Sequence, residues 1–382
     1  MHIQNKNEAL ELIYFQSAQD LPAYWNEDLP ENHFLQKEQL AIIEAAHLPN
    51  LSFYYVMVMK NNQMHSKHYF QLLRLNKQHL FNKEDGTLKK ILCNLILWTS
   101  KPSLLVSGHL FRHDICTFVK APTISDFEAF QAYQYALQQI QKISGACAAL
   151  IKDAPIYLTP YFQNYSNGCL HLKNDVSMEL ALNKNWTSIQ DYEKALKHKY
   201  AQRFRKIKKQ ENVLTKRILT KEDIETYQDQ LYNLYQQVSN KQPIRLGMLS
   251  PEFIKLQHAS ESEQLIVRGW FLNEGLVAFS SAFNFKHTWD MFYIGFDYEK
   301  NAVYQLYFNI LYDGLEQALL HKKDKIIYGR TALEAKARLG SKPNYLHTFV
   351  YISNPLLKWI LKKPLENIHS KEGDWEQRHP LK

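Results

Sequence analysis

Glycine is scarce in this chain, 12 in 382 residues. That argues against a nucleotide fold built on Gly-rich phosphate loops, and neither a Walker loop nor a GxSxG elbow occurs. Cysteine is scarcer, at four. Cys93, Cys116, Cys147 and Cys169 stand far apart with no CxxC pair, so structural zinc is not expected; buried free thiols of a reducing compartment are the simpler reading. The 16 histidines include no HExxH or HxH pair, so no metal site is expected. No apolar run approaches a membrane span; Ile91–Trp98 is the longest, and Asn94 interrupts it. The opening MHIQNKNEALELIYF has no apolar core of the kind a secretion signal needs. A cytoplasmic protein is expected, with no tightly bound cofactor.

What is abundant is aromatic side chains, at 13% with 23 Tyr, and positive charge, a net +8. With 45% hydrophobic and 22% charged residues the composition is that of a soluble globular protein. The length suffices for two domains. The basic balance suits an anionic partner without naming one.

The chain is organised around Trp289–Pro343. Trp289–Gly295 reads as a strand, Phe296–Asn301 as a polar turn, and Ala302–Leu320 as one amphipathic helix with Leu306, Ile310, Leu311, Leu315 and Leu319 at helical spacing. Lys325–Tyr328 reads as a second strand, Gly329 breaks it, and Thr331 opens another helix. Strand, helix, strand and helix of these lengths make a right-handed crossover between neighbouring parallel strands. Such units bind ligands at strand ends and helix N-termini.

Upstream, Phe34–Ala46 reads as a helix, Phe53–Met59 and Met64–Arg74 as a hairpin about Asn61–Gln63, and Ser103–Leu110 as a strand. Ser125 caps a helix with Phe127, Phe130, Leu137 and Ile140 as its buried stripe; Gly145 ends it, and Ala146–Ile151 is a strand. The second half repeats helix, hairpin, strand, helix, strand, with a helix start at Pro251–His258, a hairpin of Leu265–Leu272 and Leu276–Phe285 about Asn273-Glu274-Gly275, and the stretch above. This is the pattern of a duplicated domain. Between the halves, Ser188–Glu211 reads as one helix buried along Tyr192, Leu196, Tyr200, Phe204 and Ile207, and densely basic elsewhere. Lys221–Ser239 reads as the next.

A duplicated α/β unit whose second copy is led by the pattern YxxxLxxKYxxRxRKxxK (Tyr192–Lys209) resembles the FemAB/FemX-like branch of the GNAT acyltransferase superfamily. The segments WFLNEGLVAFSS (Trp270–Ser281), YQLYFNILYDG (Tyr304–Gly314) and GRTALEAK (Gly329–Lys336) are similar to its bacterial members, often described as peptidoglycan-biosynthesis or recognition proteins. The resemblance implies an α/β (α+β) fold of two tandem GNAT-like domains, each a mixed, mostly antiparallel sheet flanked by helices. We place them at 1–172 and 173–353, with a tail at 354–382. It implies transfer of an acyl or aminoacyl group, from acyl-CoA or aminoacyl-tRNA as co-substrate, to an amine on a small-molecule or lipid-linked acceptor of cell-wall biogenesis. One departure stands out. The Q/RxxGxG/A loop that cradles the CoA pyrophosphate in ordinary GNAT domains is replaced here by GFDYEKN (Gly295–Asn301), with one glycine and two repelling acids.

The reaction needs an amine that loses its proton, an N–H for the oxyanion and an acid for the leaving group. The splayed strand end at Tyr293 and Gly295 is the expected N–H source and substrate contact. Tyr304 and Tyr307 are the candidate proton donors, against a reading as packing aromatics. Arg330, Thr331 and Lys336 are expected to hold a carboxylate or phosphate near a helix N-terminus. Thr331 and Glu334 have the spacing of a capping box, and Glu334 is a weaker candidate base. Lys199, Arg203 and Arg205 on the basic helix are the expected anion contacts, for tRNA or an anionic lipid-linked precursor at the inner face of the membrane; a solvated helix face is the simpler alternative. Asn354–Lys363 is a basic amphipathic segment that either docks on the domain or touches a membrane surface. A different function class stays open: a GNAT-fold protein that binds an anionic glycan, lipid or RNA without catalysis.

Overall fold

The computed structural model of the chain describes residues 2–4, 10–27, 29, 33–76, 102–112, 115, 117–164, 169–172, 175–242, 246–260, 264–352 and 375–382. The expectations placed on Ile91–Trp98, Cys93, Cys116 and Asn354–Lys363 lie outside these residues. The chain forms two compact units. One comprises Met1–Asp175, Pro243–Leu249 and Leu346–Gly373; the other comprises Val176–Gln242, Ser250–Tyr345 and Asp374–Lys382.

The first unit contains β1 (His2–Gln4), β2 (Leu10–Phe15), α1 (Lys37–Ala45), β3 (Leu51–Lys60), β4 (Gln63–Arg74), β5 (Ser103–Ser107), β6 (Phe118–Lys120), α2 (Asp126–Ser144), β7 (Ala148–Ile151), α3 (Thr159–Asn164) and β8 (Cys169–Leu172). Its sheet runs β1-β2-β3-β4-β5-β7, then the late strand Thr348–Tyr351, then β8, with β6 pairing β4 off this path. The β3–β4 hairpin turns on Asn61 and Asn62, at φ 50° and 61°, the left-handed geometry that asparagine tolerates in two-residue turns. Ser125 and Glu128 form a capping box at the start of α2, and Gly145 closes it at φ 67°. Phe130, Tyr133, Leu137 and Ile140 pack with Tyr54, Val56, Phe70 and Leu105 of the sheet. Phe127, expected in that stripe, is 53% exposed; it lies well round the helix from the line through Phe130 and Leu137.

The second unit contains β9 (Val176–Ala181), α4 (Ile189–Ala195), α5 (His198–Glu211), β10 (Thr215–Ile218), α6 (Lys221–Thr226), α7 (Gln228–Ser239), α8 (Phe253–Ser260), β11 (Leu265–Leu272), β12 (Gly275–Asn284), β13 (Thr288–Phe296), α9 (Tyr298–Tyr304), α10 (Leu306–Leu320), β14 (Lys325–Gly329), α11 (Leu333–Ala337) and β15 (Lys342–Tyr345). The sheet order is β10-β11-β12-β13-β14-β9-β15. Among the described residues of this sheet, only β13 and β14 pair in parallel. Tyr192, Phe204 and Ile207 pack with Ile310, Leu311, Tyr312 and Leu315 over Met178, Trp270 and Trp289.

Three helices expected as single rods are broken. Leu196 and Lys197 are extended between α4 and α5. The chain end holds them there: Leu196 bridges Leu381, and the Lys197 N–H donates to the Pro380 carbonyl at 2.8 Å. Gln305, at φ 50°, separates α9 from α10. Tyr227 separates α6 from α7.

Candidate active site

In the second unit the parallel pair β13–β14 is held at Thr288↔Lys325, Trp289↔Ile326 and Asp290↔Ile327, and the register goes no further. From Met291 to Phe296, β13 continues beside β12 alone. The parting coincides with a bulge. The register with β12 slips between Ser280 and Ala282, so that Phe292 and Tyr293 face Ser281 alone. The Ser281 hydroxyl pins this bulge, accepting from the Tyr293 N–H at 2.9 Å and donating to the Tyr293 carbonyl at 2.8 Å. On the other lip, Gly329 ends β14 at φ 78°. Two strands that part in this way leave their facing edges with backbone groups that the sheet does not pair. In the first unit the matching parallel pair, β5–β7, stays in register through the last residues of both strands, Ser107 and Ile151.

The expected residues fall on this opening as follows. Tyr293 packs edge-on against Tyr235 at 5.5 Å and against Phe292 at 4.6 Å, and burial with Tyr235 nearby pushes its hydroxyl pKa well up. Its N–H is engaged by Ser281 and is not the exposed donor that was expected. Gly295 serves close packing. A Cβ there would meet the Tyr235 backbone nitrogen at 2.5 Å and the Leu234 carbonyl carbon at 2.6 Å, so glycine lets α7 lie directly on β13.

The GFDYEKN loop becomes a capped helix start. Asp297 accepts from the N–H groups of Glu299 at 2.9 Å and Lys300 at 3.1 Å, and pairs with the Lys300 ammonium at 2.7 Å. Asn301 does the same for α10, its Oδ1 accepting from the Tyr307 N–H at 2.9 Å, while Asn309 Nδ2 donates to the Tyr304 carbonyl at 2.8 Å. The polar turn expected at Phe296–Asn301 is thus mostly the first turn of α9, and one of its two acids, Asp297, is the cap. Tyr304 ends α9, half-buried. Tyr307 lies in the first turn of α10 against Phe296 and Phe308, each at 5.8 Å. Burial raises its pKa, which keeps its proton in place at neutral pH.

At the end of β14 the capping box expected of Thr331 and Glu334 does not form. Ala332, at φ 53°, is the N-cap of α11, no side chain caps it, and Thr331 is exposed. Glu334 instead accepts from Arg338 at 2.7 Å and Arg378 at 2.8 Å. These two hold its pKa below the ordinary value, Arg378 the more strongly. Lys336 is not a surface cation at a helix start. It is 4% exposed in the last turn of α11, and its ammonium donates to the Gly329 carbonyl at 3.1 Å. Burial pulls its pKa down to about 7. Arg330 follows Gly329 directly and is half-buried.

On α5, Lys199 and Arg205 are exposed, and Arg205 pairs with Glu193 at 2.6 Å. Arg203 lies over the Phe308 ring at 4.6 Å. Lys208 is tied to Glu211 at 2.5 Å and to Glu316 at 3.4 Å. Part of the basic face is therefore internal wiring. A buried network unread in the sequence continues it. Asp313, 1% exposed, takes Arg268 at 2.8 Å and Lys216 at 3.0 Å. Ser281 and Asp297 were also missed. The second carries a legible sign, an Asp at a strand end just before a helical run.

Among the described residues, no group of three or more His, Cys, Asp or Glu is placed to hold a metal ion, and no helix is long and apolar enough to cross a membrane.

No protein-family model matches the sequence, and no curated protein matches it. Solved structures do match in shape. FemX is similar with a TM-score of 0.52 at 11% identity, over 92% of this chain and 100% of its own. A tandem GNAT protein from the clavulanic acid biosynthesis pathway, solved without acetyl-CoA, is similar with a TM-score of 0.50 at 10% identity, over 91% of this chain and 99% of its own. Identities this low speak of fold alone, and the fold is a FemX-like, tandem GNAT fold.

Proposed function

We propose that the chain is an N-acyltransferase whose active site is the opening between β13 and β14. The observation that carries this reading is the parting of that pair beyond Asp290 and Ile327, with a pinned bulge at Phe292–Tyr293. A donor lying along the β13 edge presents its carbonyl to backbone N–H groups there, fixed dipoles that stabilise the oxyanion without reorganisation. The amine nitrogen attacks the acyl carbon. A C–N bond forms, the C–S bond of a thioester or the C–O bond of an aminoacyl ester breaks, and the proton lost by nitrogen is balanced by one gained by the leaving thiol or hydroxyl. Tyr307 and Tyr304 are the candidate donors to that leaving group. Arg330 and Thr331, beside the Gly329 lip, are the candidate contacts for an anionic part of donor or acceptor.

The donor is acyl-CoA or aminoacyl-tRNA, and the acceptor is an amine on a small or lipid-linked molecule such as a cell-envelope precursor. The caps Asp297 and Asn301 fill the place where a CoA pyrophosphate would meet helix N–H groups, so a CoA donor here is held mainly through its acyl arm. Those same caps favour a second reading, a GNAT-fold protein that binds an anionic glycan, lipid or RNA and does no chemistry. Calorimetry on the purified chain against an acyl-CoA panel, charged and uncharged tRNA, and anionic vesicles, at two salt concentrations, separates the two. Saturable donor binding with acyl transfer to an added amine is the expected result. Anion binding with no affinity for any donor would replace it with the second reading.

A further inference from the structure

The junction of α5, α11 and the 375–382 segment sets two guanidinium groups on one carboxylate, with a third, Arg203, near enough to feel their charge. Arg338, the C-cap of α11, and Arg378, on the terminal segment, both donate to the same oxygen of Glu334, at 2.7 and 2.8 Å. Arg203 comes from α5, with its guanidinium carbon over the Phe308 ring at 4.6 Å from the centroid. It feels the charge of both neighbours: burial depresses its pKa, Arg338 depresses it further, and Glu334 acts the other way. Glu376 partners Arg378 from its solvent side and is 64% exposed. Three guanidinium groups thus meet two carboxylates, and Arg378 Nη2 pairs with both of them.

The arrangement is built from several elements at once. The 375–382 segment is held in place by the Leu196–Leu381 bridge, by the Lys382 N–H donating to the Ala195 carbonyl at 2.9 Å, and by Leu381 against Gly340, where a Cβ would approach it to 3.1 Å. Arg378 is therefore delivered by a pinned terminal segment. Planar guanidinium forks match the oxygens of a phosphate group, and an Arg stacked on an aromatic ring is oriented in advance.

We propose that this junction binds the phosphate group of a small phosphorylated ligand, and that Glu334 occupies the site as an internal surrogate while the ligand is absent. The proposal does not depend on acyl transfer. A phosphate entering the site displaces the Glu334 carboxylate from Arg338 and Arg378, and Arg203 supplies the third side of the cradle.

The test is calorimetric titration of the full chain with inorganic phosphate and, separately, pyrophosphate, with chloride of equal ionic strength as the control. Wild type should bind saturably. Glu334→Gln, which removes the competing charge and keeps the side-chain shape, should bind about tenfold more tightly, and Arg378→Gln about tenfold more weakly. Arg203→Gln should weaken binding without altering the thermal melt. A structural salt bridge with no ligand predicts the opposite pattern: Glu334→Gln lowers the melting temperature and gains no affinity. That result, or absence of saturable binding in both wild type and a folded Glu334→Gln, overturns the proposal. Phosphate binding that Arg203→Gln and Arg378→Gln leave unchanged overturns it as well, by moving the site elsewhere.

Discussion

Lys336 carries the sharpest consequence at the level of a single residue. Its amine is buried, donates to Gly329, and has a pKa pulled from 10.5 to about 7 by desolvation. Between those values the unfolded chain holds a proton that the folded chain does not, so the lysine makes stability rise with pH across the window, by about 1.4 kcal/mol per pH unit. Its contribution is fully present above pH 10.5 and is lost as the pH falls toward 7. Lys336→Met should therefore be more stable than wild type near pH 7, and the difference should shrink steadily toward pH 10.5; chemical denaturation at a series of pH values reads this directly. Gly295 gives a second test. Its missing Cβ is the space that the α7 backbone occupies, and backbone yields less readily than a side-chain tip. Gly295→Ala should cost about 1–3 kcal/mol through overpacking, seen as a lower denaturation midpoint with an unchanged slope.

At the level of elements, the paired helices α9 and α10 decide what the opening can hold. Asp297 and Asn301 spend the N–H groups that a helix start ordinarily offers to an anion. Asp297→Ala should lower stability by about 1 kcal/mol through loss of a cap and should raise affinity for CoA, because two N–H groups are released and a negative charge is gone. Calorimetry with desulfo- or free CoA on wild type and variant measures both sides. The break between these helices shows where sequence reading ends. Leu306, Ile310, Leu311, Leu315 and Leu319 give the helical period, and all are buried as that period implies. Nothing in the period marks Gln305, because the break is stabilised by amide side chains bonding to backbone, Asn301 to Tyr307 and Asn309 to Tyr304. The gap between α4 and α5 is less legible still: its hydrogen bonds come from residues 380–382, far away in sequence.

At the level of the molecule, the two sheets share one plan, an antiparallel run, one parallel pair and then antiparallel strands again, and differ in what that pair does. The plan was legible. Hairpin turns at Asn61–Asn62 and Asn273–Gly275, the cap at Ser125 and the stop at Gly145 are local signals, and local signals survive folding. The stretch holding the opening was legible too, since a strand, a crossover helix and a strand define it. The chemistry of the opening was less so. Lys336 reads as a surface cation because lysine is seldom buried, and only packing shows that it is. Tyr293 reads as a free strand end because the Ser281 hydroxyl that engages it comes from another strand.

The strand Thr348–Tyr351 lies between β7 and β8, pairing Phe349 with Ile151 on one side and with His171 on the other. Synthesis from the ribosome delivers β7 and β8 long before the strand that joins them. The first sheet must wait for nearly the whole chain to emerge, with the edge of β7 uncovered in the interval and free to pair wrongly. A fragment ending at Asp175 should accordingly aggregate or expose β7 to proteolysis. Adding a synthetic peptide spanning residues 346–352 should protect it, and the lag before protease resistance in a translation time course should track the emergence of Tyr351 rather than of Leu172.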